Sequence, residues 1–461
     1  MHNANNTTVP FYHALSVLEE VCIGCSRCMR VCPTEAIRVK DGKARINANK
    51  CVDCGECYKV CPVSAIVVKQ DDLDQIFNYK RKVALIPAVF TAQFPENINR
   101  YLIYAALKEI GFTDIYEVEN AVATIIRANL ELNAESRQDN PAFISAFCPA
   151  VVRLIQVKFP DLVDKIIPVK PPVDIAALQV KRLLQKEGVQ GIDIGLFYFT
   201  PCAAKIAAVK TPVGDDATRV NGVINMDLMY NKVLRILKHS GTEDNLNQTE
   251  FKGCHGAEWS LTKGESSYFE GRCLSIDGIN NVIEFLEKVE DGDMNQIDYL
   301  ELRACDESCA GGILVSENRF LTTERLREKV KAQKEKEIRS ITEDEKYFAE
   351  HARLKPIKPR SIDPLDEDIA VAMEKMKKIR KILCFLPGFD CGACGAPGCQ
   401  ALAEDIVNNE ANLSHCIFMQ KVMEKNKKLS PEHSLNIIEK IWGKDRLDKN
   451  CNKKGAGDDS F

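Results

Sequence analysis

The sequence predicts a multidomain α/β protein, and three observations support this fold class. A motif of four cysteines occurs twice near the start of the 461-residue chain. From about residue 80, apolar runs typical of buried strands alternate with helical segments, which indicates parallel sheets covered by helices. A third, glycine-rich cysteine group follows a charged, helix-forming stretch. We therefore expect a small α+β module, a larger parallel-sheet domain and a small helical domain.

The composition limits the class of protein. The net charge is −4, and hydrophobic residues make up 45% of the chain. These values allow buried cores and disfavour a nucleic-acid-binding protein. The sequence has no apolar run typical of a transmembrane helix and no secretory signal, so we expect a cytoplasmic protein. In a reducing compartment, the 20 cysteines are expected to be metal ligands rather than disulfides.

The N-terminal repeat predicts two iron–sulfur clusters. The motif C-x2-C-x2-C-x3-C-P begins at Cys22 and again at Cys51, 29 residues later. In the two-cluster arrangement, the fourth cysteine of each motif serves the other 4Fe–4S cube. The predicted sets are Cys22, Cys25, Cys28 and Cys61 for one cube, and Cys51, Cys54, Cys57 and Cys32 for the other. Zinc is the alternative, although eight cysteines in this spacing favour iron–sulfur clusters. The segment resembles bacterial two-cluster ferredoxins, and we place this ferredoxin-type α+β domain at residues 12–75.

A third cluster is predicted near the C-terminus. "CGACGAPGC" is followed by "SHC", which makes Cys391, Cys394, Cys399 and Cys416 the ligand candidates. The intervening glycines permit tight turns, and "QALAEDIVNN" predicts a helix leading back to the last cysteine. We expect a 4Fe–4S cluster, with zinc as the alternative. The segment resembles the four-cysteine iron–sulfur domain of some redox-complex subunits, and we place it at residues 376–425.

Charged or polar segments flank this C-terminal domain. Residues 321–375 predict a charged helical linker with a proline-rich, extended part. Residues 426–461 predict a helical or disordered tail.

Four more cysteines fall where a parallel sheet would gather them. Cys148, Cys202 and Cys305 each follow a predicted strand, and the carboxyl ends of parallel strands lie at one edge of a sheet. Cys309 follows Cys305 by four residues, so one helical turn would place both thiols on the same side.

The span 80–318 resembles the catalytic domain of FeFe-hydrogenases, and we place a two-lobed, parallel-sheet hydrogenase-like domain at residues 80–320. "SAFCPAV", "TPCAAKIAA" and "ELRACDESCAGGILV" correspond to the family's three cysteine segments. In that family these segments hold the H-cluster, a 4Fe–4S cube joined to a diiron subsite. The resemblance implies that Cys148, Cys202, Cys305 and Cys309 hold the cube. It also implies that Cys309 bridges to the diiron subsite and that Lys205 contacts a cyanide ligand there.

Three departures from the family pattern disfavour fast proton reduction. Phe147 stands where the family has its proton-shuttle cysteine, and a phenyl ring cannot relay a proton. Ala208 replaces a glutamate, and the polar "GGGQP" end has become "GGILV". The departures resemble those of the divergent, sensory and catalytically degenerate branch of the family. Glu258 and Glu265 are candidates for another proton path, with surface or capping carboxylates as the alternative.

Together these observations favour an iron–sulfur electron-transfer protein with three to four 4Fe–4S clusters and little or no hydrogen turnover. We expect a redox partner such as a ferredoxin or an oxidoreductase subunit. The first alternative is a sensory or regulatory hydrogenase that contains the H-cluster and responds to hydrogen or redox state. If it is an enzyme, it would be a low-activity, ferredoxin-type hydrogenase. The second alternative is a cluster-assembly factor, which the eight N-terminal cysteines disfavour.

Overall fold

The computed structural model describes residues 11–136, 143–215, 217–239, 256–292, 297–333, 343–360, 365–366 and 368–447. The described residues form two compact units. The first unit comprises residues 1–14, 52–55 and 68–360, and the second comprises residues 15–51, 56–67 and 361–461.

Eleven strands and seventeen α-helices lie in the described ranges. The strands are β1 (Leu15–Val17), β2 (Ile37–Lys40), β3 (Lys43–Ile46), β4 (Ile66–Val68), β5 (Arg81–Ile86), β6 (Asp114–Glu117), β7 (Phe143–Ile144), β8 (Ile194–Thr200), β9 (Gly222–Asn225), β10 (Cys273–Ile276) and β11 (Tyr299–Leu302). The helices are α1 (Arg27–Arg30), α2 (Glu56–Lys59), α3 (Ala88–Ala92), α4 (Arg100–Ile110), α5 (Val122–Ser136), α6 (Pro149–Lys158), α7 (Pro172–Lys186), α8 (Ala203–Lys210), α9 (Met226–His239), α10 (Ile279–Glu290), α11 (Arg319–Gln333), α12 (Glu343–Glu350), α13 (Ile369–Leu383), α14 (Cys399–Val407), α15 (Ile417–Lys425), α16 (Pro431–Trp442) and α17 (Lys444–Leu447).

The first unit contains a four-stranded parallel sheet in the order β6-β5-β8-β9. Val83 of β5 aligns with Leu196 of β8 on one side and with Asp114 of β6 on the other. All seven residues of β8 are buried, which explains why its sequence is continuously apolar. The core of this sheet includes Phe90 and Phe199, whose ring centroids lie 5.4 Å apart.

A second parallel sheet of the same unit has the order β10-β11-β7. Leu300 in the middle strand aligns with Leu274 and with Ile144. Helix α6 contributes Val151 and Leu154 to the core of this sheet. The two sheets confirm the predicted parallel-sheet domain.

Part of the charged segment predicted as a linker is buried. Leu326 of α11 is fully buried in an apolar cluster with Ala88, Ala92 and Ala257. Helix α11 is therefore not solvated on every face, because one side of it covers α3. Residues 334–342 of the predicted linker lie outside the described residues.

The second unit contains the remaining cysteine-rich parts. Strands β1 and β4 pair, and β2 and β3 form an antiparallel hairpin in which Ile37 aligns with Ile46. The backbone N–H of Val39 in this hairpin donates to the carbonyl of Gly395 at 2.8 Å. Helix α14 lies between Cys399 and Cys416, where a helix is predicted.

The predicted tail begins with ordered helices. Helices α16 and α17 fall within the predicted tail segment, whereas residues 448–461 lie outside the described residues. In the part of the chain that is described, no helix is both long and apolar enough to cross a membrane.

Replacing Phe199 with alanine tests the core of the four-stranded sheet. The ring is fully buried, 5.4 Å from Phe90 and 5.5 Å from Phe112 between centroids. Phe199→Ala is therefore expected to lower the free energy of unfolding by about 3–5 kcal/mol. Ile192→Ala is the control, because this side chain is 82% exposed and should change stability by less than about 0.5 kcal/mol. Anaerobic urea unfolding followed by circular dichroism measures both, and equal losses would contradict the central position of β8.

Candidate metal centres and the cavity beside them

The first predicted set of N-terminal cysteines comes together in the second unit. The Cys28 thiol in α1 lies close enough to Cys22, Cys25 and Cys61 for their negative charges to raise its pKa. Gly24, between the first two cysteines, has a φ of 60°, and an added Cβ would lie 2.3 Å from the carbonyl oxygen of Gly42. The loop can therefore approach the β2–β3 hairpin this closely only because residue 24 is glycine.

The four cysteines of the second N-terminal set do not all belong to the same unit. Cys57 in α2 lies close to Cys32. Cys51 belongs to the same unit as these two, whereas Cys54 belongs to the first unit and packs against its apolar core. Backbone N–H groups reach the sulfurs of this module, as in the donation from Ala36 to Cys32 Sγ at 3.2 Å.

The C-terminal cysteines also gather. Cys394 lies close to Cys391 and Cys416, and Cys399 packs in the same small core at the start of α14. Asp390 Oδ1 accepts a hydrogen bond from the Cys399 backbone N–H at 2.6 Å, which fixes the start of this helix.

Three cysteines of the first unit meet at the carboxyl ends of its strands. Cys148 follows β7 and precedes α6, and Cys202 follows β8 and precedes α8. Cys202 lies near both Cys148 and Cys309. An added Cβ on Gly312 would lie only 2.5 Å from the Pro201 carbonyl oxygen, so glycine allows the third segment to approach the second.

The expectation that Cys305 and Cys309 share one helical turn is wrong. Cys305 lies in the loop after β11, and Cys309 lies in the 3-10 segment Ser308–Gly311. Glu307 and Ser308 between them have φ values of 60° and 54°, which an α-helix does not permit. The chain turns sharply at these residues instead of continuing as a helix.

Two cations, the partly buried Lys205 and the buried Arg303, contact the Phe147 ring beside this group. Lys205 Nζ is 4.5 Å from the centroid of the Phe147 ring, and Arg303 Cζ is 4.1 Å from it. Lys205 Nζ also donates to Cys309 Sγ at 3.3 Å. Burial by itself lowers the pKa of Lys205, but the nearby charges of Cys309, Tyr198 and Cys202 raise it above the usual value. The ammonium group therefore stays charged and offsets negative charge on sulfur.

A cavity of about 20 Å³, enough for about one water molecule, lies beside Lys205 and Phe147. Its lining includes Lys205, Phe147, Glu119 and Trp259. Among the described residues, neither Glu119 Oε2 nor Trp259 Nε1 has a hydrogen-bond partner, although both are buried. Buried polar atoms are normally paired, so these two groups suit a small polar ligand. The cavity as it stands is too small for the diiron subsite that the family resemblance implies, although Lys205 lines it.

Glu119 is a site residue that the sequence reasoning missed. Its Oε1 accepts from the Ala88 N–H at 2.7 Å and from the Ser260 hydroxyl at 3.2 Å. Burial, with a smaller contribution from Glu117, raises the pKa of Glu119 to about 7. Its position just after β6, at the carboxyl end of a parallel strand, was the available signal. Arg303, just after β11, was missed for the same reason.

The carboxylates considered for a proton path are both hydrogen-bonded. Glu265 is only 2% exposed, so it is not a surface carboxylate. Its hydrogen-bond donors are Ser145 Oγ at 2.6 Å, Tyr299 Oη at 2.6 Å and Arg303 NH2 at 2.8 Å. Glu258 accepts from the Tyr268 hydroxyl. A proton path through either carboxylate stays a prediction.

The cysteine groups have the donor chemistry of iron–sulfur sites. Burial, followed by repulsion from neighbouring thiolates, raises the pKa of Cys28 and of Cys57 to about 12. Burial likewise raises the pKa of Cys202 to about 12 and that of Cys394 to about 11. Such thiols ionise only when a nearby cation compensates the charge, and iron supplies that charge. The residues therefore fit 4Fe–4S clusters, while the ligand role of each cysteine stays a prediction.

Family models match the same three parts of the chain. Residues 80–227 and 213–313 match the iron-only hydrogenase large subunit, C-terminal domain. Residues 14–62 match the 4Fe-4S dicluster domain, and residues 386–418 match a model described as an Fe-S cluster.

Individual relatives are distant. The uncharacterized protein MJ0119 of Methanocaldococcus jannaschii is 39% identical over 70 residues, and the match spans 15% of this chain and 30% of that protein. The structure of HydA(deltaEFG), from work on stepwise H-cluster assembly, has a TM-score of 0.47 at 13% identity, over 63% of this chain and 97% of that one. A variant of FeFe-hydrogenase HydA1 from Chlamydomonas reinhardtii has a TM-score of 0.46 at 15% identity, over 61% of this chain and 94% of that one.

The hydrogenase model spans just over half of the chain and includes the segments that bring Cys148, Cys202 and Cys309 together. The chain therefore belongs to the family of the iron-only hydrogenase large subunit, C-terminal domain.

Proposed function

We propose that this protein is an iron–sulfur electron-transfer protein whose hydrogenase-like domain holds a 4Fe–4S cube and turns over little or no hydrogen. The observation that carries the proposal is the group of buried sulfurs around Cys202, with Phe147 packed between two cations beside it. Bound clusters would supply one-electron oxidation and reduction. The four cysteine groups correspond to four cubes.

The residues around the central group suit electron transfer better than proton transfer. Phe147 offers no exchangeable proton at the position where the family has its shuttle cysteine. Lys205 and Arg303 place two positive charges near the sulfurs, which favours the more negative, reduced state of a bound cube.

Electrons must enter and leave through another protein, because an electron carrier without a partner has no net effect. We infer a soluble redox partner such as a ferredoxin or an oxidoreductase subunit. Within the first unit, Cys54 packs against the same apolar core as Cys148 and Cys202.

The polar groups that line the cavity support a second candidate function, a sensory or regulatory hydrogenase with a complete H-cluster. Lys205 and Trp259 offer donors to the cavity, and Glu119 offers a carboxyl group with a pKa near neutrality. A carboxyl group with such a pKa can hold or release a proton at physiological pH. In this candidate, Glu119 would take the place of the missing cysteine as the proton-holding group.

Removing one central sulfur tests the cube. Wild-type protein is expected to contain about 16 irons for four cubes, and Cys309→Ala about 12. The electron paramagnetic resonance signals of the remaining clusters should survive. Cys273→Ala is the matched control, because Cys273 is partly buried in the same unit and no ligand role is predicted for it. An unchanged iron content in Cys309→Ala would overturn the central assignment.

Infrared spectroscopy separates the two candidate functions. We expect protein treated with a synthetic diiron precursor and then desalted to show no carbonyl or cyanide bands, because the cavity beside Lys205 has room for only about one water molecule. Bands that survive desalting would refute the simple relay and support the sensory hydrogenase. In that event Lys205→Ala should shift the cyanide bands, whereas Lys210→Ala, on the exposed end of α8, should not.

The protonation of Glu119 can be followed directly. Because burial raises its pKa to about 7, the carboxyl group should be neutral one pH unit below that value and ionised one unit above it. Infrared difference spectra between these two pH values should contain a carboxylic acid band that Glu119→Gln removes. Glu258→Gln should leave this band in place. A band that persists in Glu119→Gln would assign the titration to another group.

A further inference from the structure

The C-terminal iron–sulfur region presents different surfaces on its two sides. One side packs against the dicluster module within the second unit. An added Cβ on Gly392, next to Cys391, would lie 3.0 Å from the terminal methyl of Met29, the neighbour of Cys28. The indole N–H of Trp442 donates to the carbonyl of Ala393 at 2.9 Å, which holds the same loop. The loop that carries two candidate ligands is therefore fixed between α16 and the dicluster module.

Acidic residues of this region form ion pairs with the dicluster module. Arg38 makes a two-point ion pair with Asp405, at 2.8 and 3.2 Å. The other two pairs are Lys40 with Glu410 at 2.6 Å and Lys50 with Glu404 at 2.9 Å. Three of the acidic side chains of the region are thus neutralised by basic side chains of the dicluster module.

The outer side is apolar and aromatic. Phe389, two residues before Cys391, is 65% exposed, and its ring packs edge-to-face on Phe418 with 5.1 Å between centroids. Cys391 itself is exposed. Val422 is exposed one turn beyond Phe418 on α15, and Phe385 is exposed at the end of α13. Contiguous exposed apolar groups commonly mark an interaction site. We call Phe389, Phe418 and Val422 the aromatic patch.

Basic residues flank the aromatic patch. Residues 417–428 contain four lysines and one glutamate, and residues 369–383 contain five basic residues and one glutamate. Lys421 and Lys425 are exposed and lie on the same helical face as Phe418, at intervals of three and four residues. Arg380 and Lys381 occupy the last turn of α13, just before Phe385. Lys421 pairs with Glu424 at 2.9 Å, and residues 417–428 keep a net charge of +3, from four lysines and one glutamate. We call Lys421 and Lys425 the lysine rim.

We propose that the aromatic patch and its lysine rim form the docking site for an acidic, one-electron carrier protein. The proposal rests on the electron-transfer function and names the surface through which the partner binds. Charge complementarity selects an acidic partner and speeds its association, while the aromatic centre holds it close to Cys391. An apolar centre with a charged rim suits the small, short-lived complexes of electron carriers.

Binding of a carrier to the full-length protein tests the site without relying on electron transfer. The probe is an acidic two-cluster bacterial ferredoxin, measured by surface plasmon resonance at low and high salt. The double variant Lys421→Glu with Lys425→Glu is expected to slow association at least about tenfold at low salt and to flatten the salt dependence. Phe418→Ala should instead raise the dissociation rate by roughly tenfold, because it removes part of the apolar centre.

The matched control reverses two exposed lysines on helices of the first unit, Lys238→Glu with Lys288→Glu. It changes the net charge by the same amount and should leave association within about twofold of wild type. Equal effects of the two double variants would overturn the docking site, because only net charge would then matter. Binding to anionic lipid vesicles that is lost in Lys421→Glu with Lys425→Glu, with no binding of the ferredoxin, would also overturn it.

Failure of this proposal and failure of the electron-transfer function give different results. If the ferredoxin binds as expected but Cys309→Ala retains all its iron, the central cube is wrong and the docking site stands. If the iron contents are as expected and the charge reversal leaves ferredoxin binding unchanged, the docking site alone is wrong.

Discussion

The burial of closely spaced cysteine thiols is the constraint on which the cysteine groups depend. Burial raises the pKa of Cys28 and of Cys202, and neighbouring thiolates raise it further. Such a group is stable as a set of thiolates only when a positive charge compensates it. Bound iron would supply that charge. The central group has additional compensation from the protein itself, through Lys205 and Arg303.

These two cations also explain why phenylalanine is tolerated at position 147. An aromatic ring between an ammonium and a guanidinium group is attracted to both through its faces. The same position in active members of the family has a side chain that transfers protons. Here the position contributes packing and electrostatics, and Glu119, whose pKa is near neutrality, lines the same cavity.

The fold could be predicted from the sequence to a large extent, because its signals are local. The period of the cysteine repeat and the apolar runs of β5 and β8 depend only on neighbouring residues. Local patterns failed where the backbone leaves regular structure, as at Glu307 and Ser308, whose left-handed conformations interrupt the helical turn expected between Cys305 and Cys309. Nothing in the local sequence distinguishes these two residues from the first turn of a helix.

The candidate site was predicted less completely than the fold. The cysteines can be recognised as candidate ligands from their spacing, whereas Glu119 and Arg303 are single residues among many of the same type. Their importance arises from burial beside the cavity, which depends on residues distant in sequence. Sequence could place them after strands, but only the packing of α3 and the Ser260 segment buries Glu119.

Because residues 52–55 belong to the first unit, they limit where the chain can be cut into fragments that keep a complete core. Val52 joins the apolar core of that unit, and Asp53 accepts a hydrogen bond from the buried Arg153 at 3.1 Å. The neighbouring residues on both sides belong to the other unit. A fragment that begins at residue 80 would lack Val52 and Asp53, which belong to the interior of the first unit. Exchange of the N-terminal module for a foreign one by genetic recombination would succeed only if the incoming loop supplied a matching apolar residue and carboxylate.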